Sequence, residues 1–360
     1  MQKAFINQGI DVLPEILNDL RIKKVFLVVG NNAYQSIENL IKPYTKSISI
    51  ETFVMTDSNF KTIISGCEKL KQSNSDLIIA IGGGRIIDAA KLISVTALSK
   101  ENYENVIRGI EIINKKFLPL LVMPTTAGTG SEATSFSVVY LGKKKFSIAS
   151  KNLLPEYVIA DTSLVQEMPN YLKTCTLFDA FSQAIESFWS VNATDISRKY
   201  ARRAIELINM NLKGYLNNES DNTKNMVEAA YYSGKAINIS KTTLPHALSY
   251  FLTIKYNVPH GHAVALTLGF IGKINYYSGC DNLKKVMNDV CLMLHIDFKN
   301  FEKYWYNLMQ VGGLETKLSN LGVKKEDLEL IVDSVNVERL KNHPPNIEKE
   351  ILIKELNKIF

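Results

Sequence analysis

Residues 76–84 read DLIIAIGGG: five consecutive apolar residues running straight into three glycines. A strand with one wet face alternates apolar and polar residues, so an unbroken apolar run belongs to a strand buried on both faces. Such strands sit in parallel sheets covered by helices on each side. VFLVVG (25–30) and LPLLVMPTT (118–126) repeat the pattern, and AYQSIENLI and DAAKLISVTALS between them carry helical spacing. The order is therefore β-α-β. FSVVYLGKKKFSIAS (136–150) is different: two β-rich arms around a Gly-Lys turn predict an appended hairpin. Beyond DTSLVQEMP (161–169), segments such as TCTLFDAFSQAIESFWS and KNMVEAAYYSGKAINIS have i, i+3, i+4 apolar spacing and almost no strand. The expected architecture is an α/β, Rossmann-like parallel-sheet domain over 1–163 followed by an all-α domain over 164–360.

A chain of 360 residues is long enough for two cores. Its formal charge of +6 comes from lysines dispersed along the chain. That suits an anionic small molecule and gives no basic stripe for nucleic acid. Cys67, Cys175, Cys280 and Cys291 form no CxxC, and MQKAFINQGI lacks the apolar stretch of a secretory leader. A cytoplasmic protein with reduced thiols is expected. No apolar run reaches the ~18 residues of a membrane span.

Two loops follow strands and concentrate glycine. Gly82, Gly83 and Gly84 precede a helix, and Arg85 comes directly after them. Only glycine lets the backbone approach a phosphate this closely, and a helix N-terminus offers N–H groups to an anion. A tight turn with a solvated arginine would look the same locally. PTTAGTGSEAT (124–134) supplies Thr125, Thr126, Thr129 and Ser131. Two such loops at the carboxyl ends of successive parallel strands describe a dinucleotide crevice.

The helical half opens with LFDAFSQAIES, placing Asp179, Gln183 and Glu186 at i, i+4 and i+7 on one face. This spacing also describes a solvated helix face. HALSYFLTIKYNVPHGH (246–262), however, adds three of the five histidines. Asp179 with His246 and His260 would make a three-ligand site with an open position, as a catalytic divalent metal requires.

IGGGRIIDAAK, PTTAGTGSEAT, FDAFSQAIES and HALSYFLTIKYNVPHG, in that order, resemble the iron-containing (group III) alcohol dehydrogenase family, which includes zinc-dependent glycerol dehydrogenases and is related to dehydroquinate synthase. The resemblance spans nearly the whole chain. It implies an NAD(P)-linked oxidoreductase with one divalent metal, Fe or Zn, and a homodimer or larger assembly. The family's metal ligands fall on Asp179, Gln183, His246 and His260, with Gln183 where a histidine is usual. Tyr250 stands where many members carry a histidine near the nicotinamide, and His262 is a candidate substitute. Asp88 and Lys91 match a family pair near the nicotinamide; an exposed i, i+3 ion pair worth ~0.3 kcal/mol is their plain alternative. Gly30 and Asn31, with Asn32, replace the acidic residue that takes the ribose hydroxyls in NAD-preferring members, so NADP(H) is favoured over NAD(H).

Within the family the chain is most similar to the phosphonoacetaldehyde reductase branch. The implied reaction is reduction of a small aldehyde to an alcohol, with phosphonoacetaldehyde giving 2-hydroxyethylphosphonate as the candidate. Lys143–Lys145, Arg198, Arg202, Arg203, Lys235 and Lys241 are available for an anionic head group, Lys241 first because it lies five residues before His246. The rival readings are a metal-independent reductase, as in maleylacetate reductases, an NAD-using lyase or cyclase of the dehydroquinate synthase type, and a non-enzymatic nucleotide binder.

Overall fold

The computed structural model describes residues 2–99, 103–111, 113–141, 144–166, 168–335, 340–344 and 346–360. They form two compact units: 1–126 with 130–167, and 127–129 with 168–360. The predicted Gly142–Lys143 hairpin turn lies outside the described residues.

Unit 1 is built on six parallel strands: β1 (Lys3–Ile6), β2 (Lys24–Gly30), β3 (Ser49–Met55), β4 (Leu77–Gly82), β5 (Leu120–Pro124) and, after the β6 (Phe136–Leu141)–β7 (Lys144–Ala149) antiparallel pair, β8 (Tyr157–Ala160). Their order is β1-β8-β5-β4-β2-β3. The unit's helices are α1 (Leu13–Asp19), α2 (Tyr34–Ile41), α3 (Phe60–Ser73), α4 (Gly84–Thr96), α5 (Tyr103–Ile107) and α6 (Ser163–Gln166). Val25, Leu27 and Val29 of β2, Leu77, Ile79 and Ile81 of β4, and Leu121 and Met123 of β5 pack as one core with residues of α1 and α2. The alternate residues, Phe26, Val28, Ile78, Ala80 and Val122, are also fully buried. Burial on both faces explains the unbroken apolar runs.

The chain builds outward from β2 to β3, returns to β4, and then grows in the other direction to β5 and β8. The order thus reverses between β2 and β4, and at such a switch point the loops leaving the carboxyl ends diverge and open a crevice.

Unit 2 is helical: α7 (Asn170–Trp189), α8 (Asp195–Leu216), α9 (Ser220–Ser240), α10 (Leu244–Tyr256), α11 (His260–Tyr277), α12 (Asp281–Leu294) and α13 (Phe301–Val311) lead to shorter C-terminal helices. Every residue of α7 from Lys173 to Trp189 is buried. It is the helix that α8, α9 and α11 surround, so its polar stripe is an interior feature and the solvated-face alternative falls. Among the described residues no helix is long and apolar enough to cross a membrane.

Candidate functional site

In unit 1, β2 and β4 run in register through Val29–Ile81, and Gly82 of β4 pairs with Pro124 of β5. Gly30–Asn31, Gly82–Arg85 and Thr125–Thr126 therefore leave the sheet side by side, across the point where strand order reverses. A Cβ on Gly82 would stand 2.7 Å from Ile86, and one on Gly83 3.3 Å from the Thr126 methyl. Glycine is needed there for the close turn into α4. Gly83 caps that helix with no side-chain bond to its first N–H groups, and Arg85 is exposed on the first turn. The Thr125 N–H donates to Gly82 O at 3.1 Å, stitching the two loops together. Thr126 Oγ1 is buried with no hydrogen-bond partner. An open helix start, a side-chain-free cradle and an orphaned hydroxyl fit a pyrophosphate.

Thr129 belongs with unit 2. Ser131 donates its hydroxyl to Asp88 Oδ1 at 2.6 Å. Asp88 Oδ2 accepts the Val138 N–H at 3.0 Å, so both carboxylate oxygens hold the 131–138 segment on α4. Lys91 has no exposed surface; it donates to Thr134 Oγ1 at 3.0 Å and Phe136 O at 2.9 Å, and lies 3.6 Å from Asp88. The exposed-pair reading is corrected: this is a buried tie. The donors of Lys91 are committed inside the unit. Burial pushes Lys91 down to about 8 and neighbouring Glu132 up to about 7, each partly offset by the other.

In unit 2, α7 carries Asp179, α10 presents His246 from its first turn, and α11 begins with His260. Both histidine-bearing helices start at proline, Pro245 at the first positions of α10 and Pro259 as the cap of α11. Proline's fixed φ suits those places and sets where each helix begins. One ligand atom from each of Asp179, His246 and His260 lies within 4.8 Å of the others. Asp179 and His246 are buried, and His260 is half-buried.

The hydrogen bonds fix which nitrogens face inward. His246 Nδ1 bonds the Glu186 carboxylate. The Ser249 hydroxyl gives its one proton to His246 O at 2.7 Å, so it can only accept at 3.2 Å from His260 Nδ1. Both imidazoles therefore present Nε2. His246 Nε2 is buried without a hydrogen-bond partner and lies 3.3 Å from Asp179 Oδ1. A lone pair facing a carboxylate at that distance is repulsive unless a cation lies between them. Burial opposes charge on His246, yet Glu186 and Asp179 outweigh it and hold its pKa up to about 10. Burial would likewise raise Asp179, but His246, His260 and Gln183 hold it below the usual carboxylate range. The donor set and the orphaned nitrogen fit a divalent ion.

Gln183 lies against Asp179. Its amide N–H donates to Asp179 Oδ1 at 3.0 Å and Thr129 O at 3.3 Å, while its carbonyl accepts from Ser233 Oγ at 2.9 Å. A carboxylate neighbour requires the N–H to face it, so Gln183 steadies the aspartate. His262 is tied into the packing of the helical unit. Its Nε2 bonds Glu315 O at 2.7 Å and its Nδ1 meets the Tyr171 hydroxyl at 3.0 Å, so both ring nitrogens are engaged in packing. Tyr250 lies parallel to His260, with ring centroids 5.8 Å apart.

Glu186 is the functional residue that its spacing disclosed but whose duty went unread. It has no exposed surface. Besides His246 it accepts the Thr243 N–H at 2.6 Å and the Thr243 hydroxyl at 2.7 Å, and Trp189 Nε1 donates to that hydroxyl at 2.8 Å. A carboxylate behind a ligating histidine fixes its tautomer and raises its basicity. Glu186→Gln is expected to weaken metal binding by about 10–100-fold, read by titration against a chromophoric chelator. Unchanged affinity would show that His246 needs no such support.

Among known proteins, residues 3–162 match the iron-containing alcohol dehydrogenase family and residues 173–359 the C-terminal Fe-containing alcohol dehydrogenase family. Sulfoacetaldehyde reductase of Bilophila wadsworthia is 30% identical over 77% of this chain and 75% of its own. NADPH-dependent butanol dehydrogenase of Clostridium saccharobutylicum is 27% identical over 96% of this chain and 93% of its own. The crystal structure of sulfoacetaldehyde reductase from Bifidobacterium kashiwanohense in complex with NAD+ superposes with a TM-score of 0.91 at 24% identity, covering 99% of this chain and 96% of that one.

Proposed function

From the premise that this chain belongs to the iron-containing alcohol dehydrogenase family, we propose that it reduces a small anionic aldehyde to its alcohol at the Asp179–His246–His260 centre. The oxidoreductase class comes with the family; the substrate, the ligand set and the choice of nicotinamide cofactor are the proposal. The buried, unpartnered Nε2 of His246 facing Asp179 carries the metal-site reading.

Two imidazoles and a carboxylate suit Fe(II) and Zn(II) alike. A divalent cation bound there supplies Lewis acidity, polarising the carbonyl and easing the charge that grows on its oxygen. Reduced nicotinamide supplies the hydride. The chain's own residues set the stage. Glu186 and Ser249 hold the two imidazoles in the tautomer that presents Nε2, and Gln183 anchors Asp179. Tyr250, beside His260, is the proposed donor of the proton that completes the alcohol, through its hydroxyl. Gly82–Arg85 and Thr126 are proposed to cradle the pyrophosphate. Asn31 and Asn32, exposed at the end of β2, put no carboxylate against a 2′-phosphate, which favours NADPH.

The substrate reading rests on similarity to the phosphonoacetaldehyde reductase branch and on the sulfoacetaldehyde reductases among the relatives. Phosphonoacetaldehyde and sulfoacetaldehyde share two carbons, an aldehyde and a tetrahedral oxyanion. Purified, metal-loaded protein is expected to oxidise NADPH with one of them at a kcat/KM at least about tenfold above that for propanal, a gap of ~1.4 kcal/mol. The better of the two identifies the head group. Equal, feeble rates with all three would sink the substrate assignment, and full activity after exhaustive chelation would favour the metal-independent reductase.

A further inference from the structure

Lys241 is held in a backbone conformation that belongs almost to glycine alone. Its φ is 61° and its ψ 174°, a region that strains any residue carrying a Cβ. Asn74, Asn257 and His295 also have positive φ, but they cap helices in the ordinary left-handed well, with ψ of 38°, 24° and 41°. Lys241 has no such refuge.

Three clamps impose the conformation. The Lys241 N–H closes α9 on Ile237 O at 2.9 Å. Asn342 Nδ2 donates to the carbonyls on either side, Ser240 O at 2.8 Å and Thr242 O at 3.0 Å. Thr243, two residues on, is bound through N–H and hydroxyl to Glu186, the same carboxylate that holds His246. Two trans peptide links span at most about 7.6 Å, so the Lys241 Cα lies no farther than that from the Cα of Thr243, which binds Glu186. The ammonium is half-buried, donates to Asn238 O at 3.1 Å, and has its pKa lowered by that burial. Two other candidate cations are engaged elsewhere: Arg203 pairs with Glu228 at 2.9 Å, and Lys235 lies 4.9 Å from the Tyr200 ring centre.

We infer that Lys241 is the specificity residue that recognises the oxyanion head of the substrate. The inference rests on the anionic-aldehyde reading above. The clamped backbone and the bond to Asn238 O together set where the Lys241 ammonium stands, which a neutral aldehyde would not need. A fixed charge also discriminates better than a mobile one, because its position is settled before the substrate arrives.

Lys241→Gly is the informative variant, because glycine takes φ 61°, ψ 174° without strain and the fold should survive. Lys241→Arg retains the charge. For each, kcat/KM is measured with the preferred anionic aldehyde and with propanal in the same metal-loaded preparation, so that any general loss cancels in the ratio. Lys241→Gly is expected to lower the anionic-to-neutral ratio at least about tenfold, mainly through KM, while Lys241→Arg holds it within about threefold. Methylphosphonate or methanesulfonate, matching the preferred head group, is expected to raise the thermal midpoint of the parent but not of Lys241→Gly. A parent with a clear anionic preference that persists in Lys241→Gly overturns the role of Lys241 alone. A parent with no preference overturns the anionic reading and this inference with it.

Discussion

His260→Ala is expected to lower kcat/KM by about a thousandfold while leaving the dissociation constant for NADPH within a few-fold of the parent. His260 supplies one of three clustered ligand atoms, and its Nδ1 is already tied to Ser249. Its removal leaves Asp179 and His246, a pair that holds a divalent ion weakly. Loss of Lewis-acid assistance takes away several kcal/mol of stabilisation from the developing alkoxide, and ~4 kcal/mol corresponds to about three decades in rate. The cofactor loops lie in unit 1 and His260 in unit 2, so binding and turnover should separate. Elemental analysis, fluorescence titration with NADPH and steady-state rates check the three parts. A folded variant that turns over normally would remove the metal-site reading.

Gly261→Ala should be nearly as damaging by a different route. A Cβ at this position would stand 1.9 Å from Cys175 O and 2.8 Å from Asp179 Cβ. The first obstacle is backbone on the central buried helix, which cannot swing aside as a side chain tip can. The start of α11 would have to lift away from α7, carrying His260 from Asp179. Overpacking of this kind costs about 3 kcal/mol, which at 2–4 °C per kcal/mol for a unit of this size is a drop of roughly 6–12 °C in thermal midpoint. Metal content should fall with it. A midpoint within a degree or two of the parent, with full metal, would show that α11 has slack at its start.

Burial made some of this fold plain and hid the rest. β2, β4 and β5 are sandwiched between helices, and continuous apolar runs wrote them into the sequence. β1 and β8 have four residues each, too few for a period to emerge. β3 pairs on one side only and carries Ser49, Glu51 and Thr52 among its apolar residues. The glycine loop was legible because its backbone cannot tolerate side chains. In the helical half, residue type and spacing brought Asp179, His246 and His260 forward. They could not reveal how their neighbours divide the work. Gln183 as ligand or donor depends on which end of its amide faces Asp179. His262 as catalyst or packing residue depends on whether Tyr171 and Glu315 reach it. The plain alternative for Lys91 and Asp88, an exposed pair, could not be dismissed from sequence, because nothing local says that the 131–138 segment covers Lys91.

The clamp of Asn342 on the loop before His246 also bears on how the protein matures during synthesis. Every strand of the parallel sheet, from β1 to β8, lies within the first 160 residues, so the nucleotide half has all its strands early in translation. The Lys241–Thr243 loop gains its Asn342 clamp only once residue 342 has been made, because both flanking carbonyls bind that one side chain. A nascent chain thus possesses the glycine loops of unit 1 long before it can complete the loop that precedes His246. Translation itself imposes an order in which the sheet unit precedes the completion of the helical one.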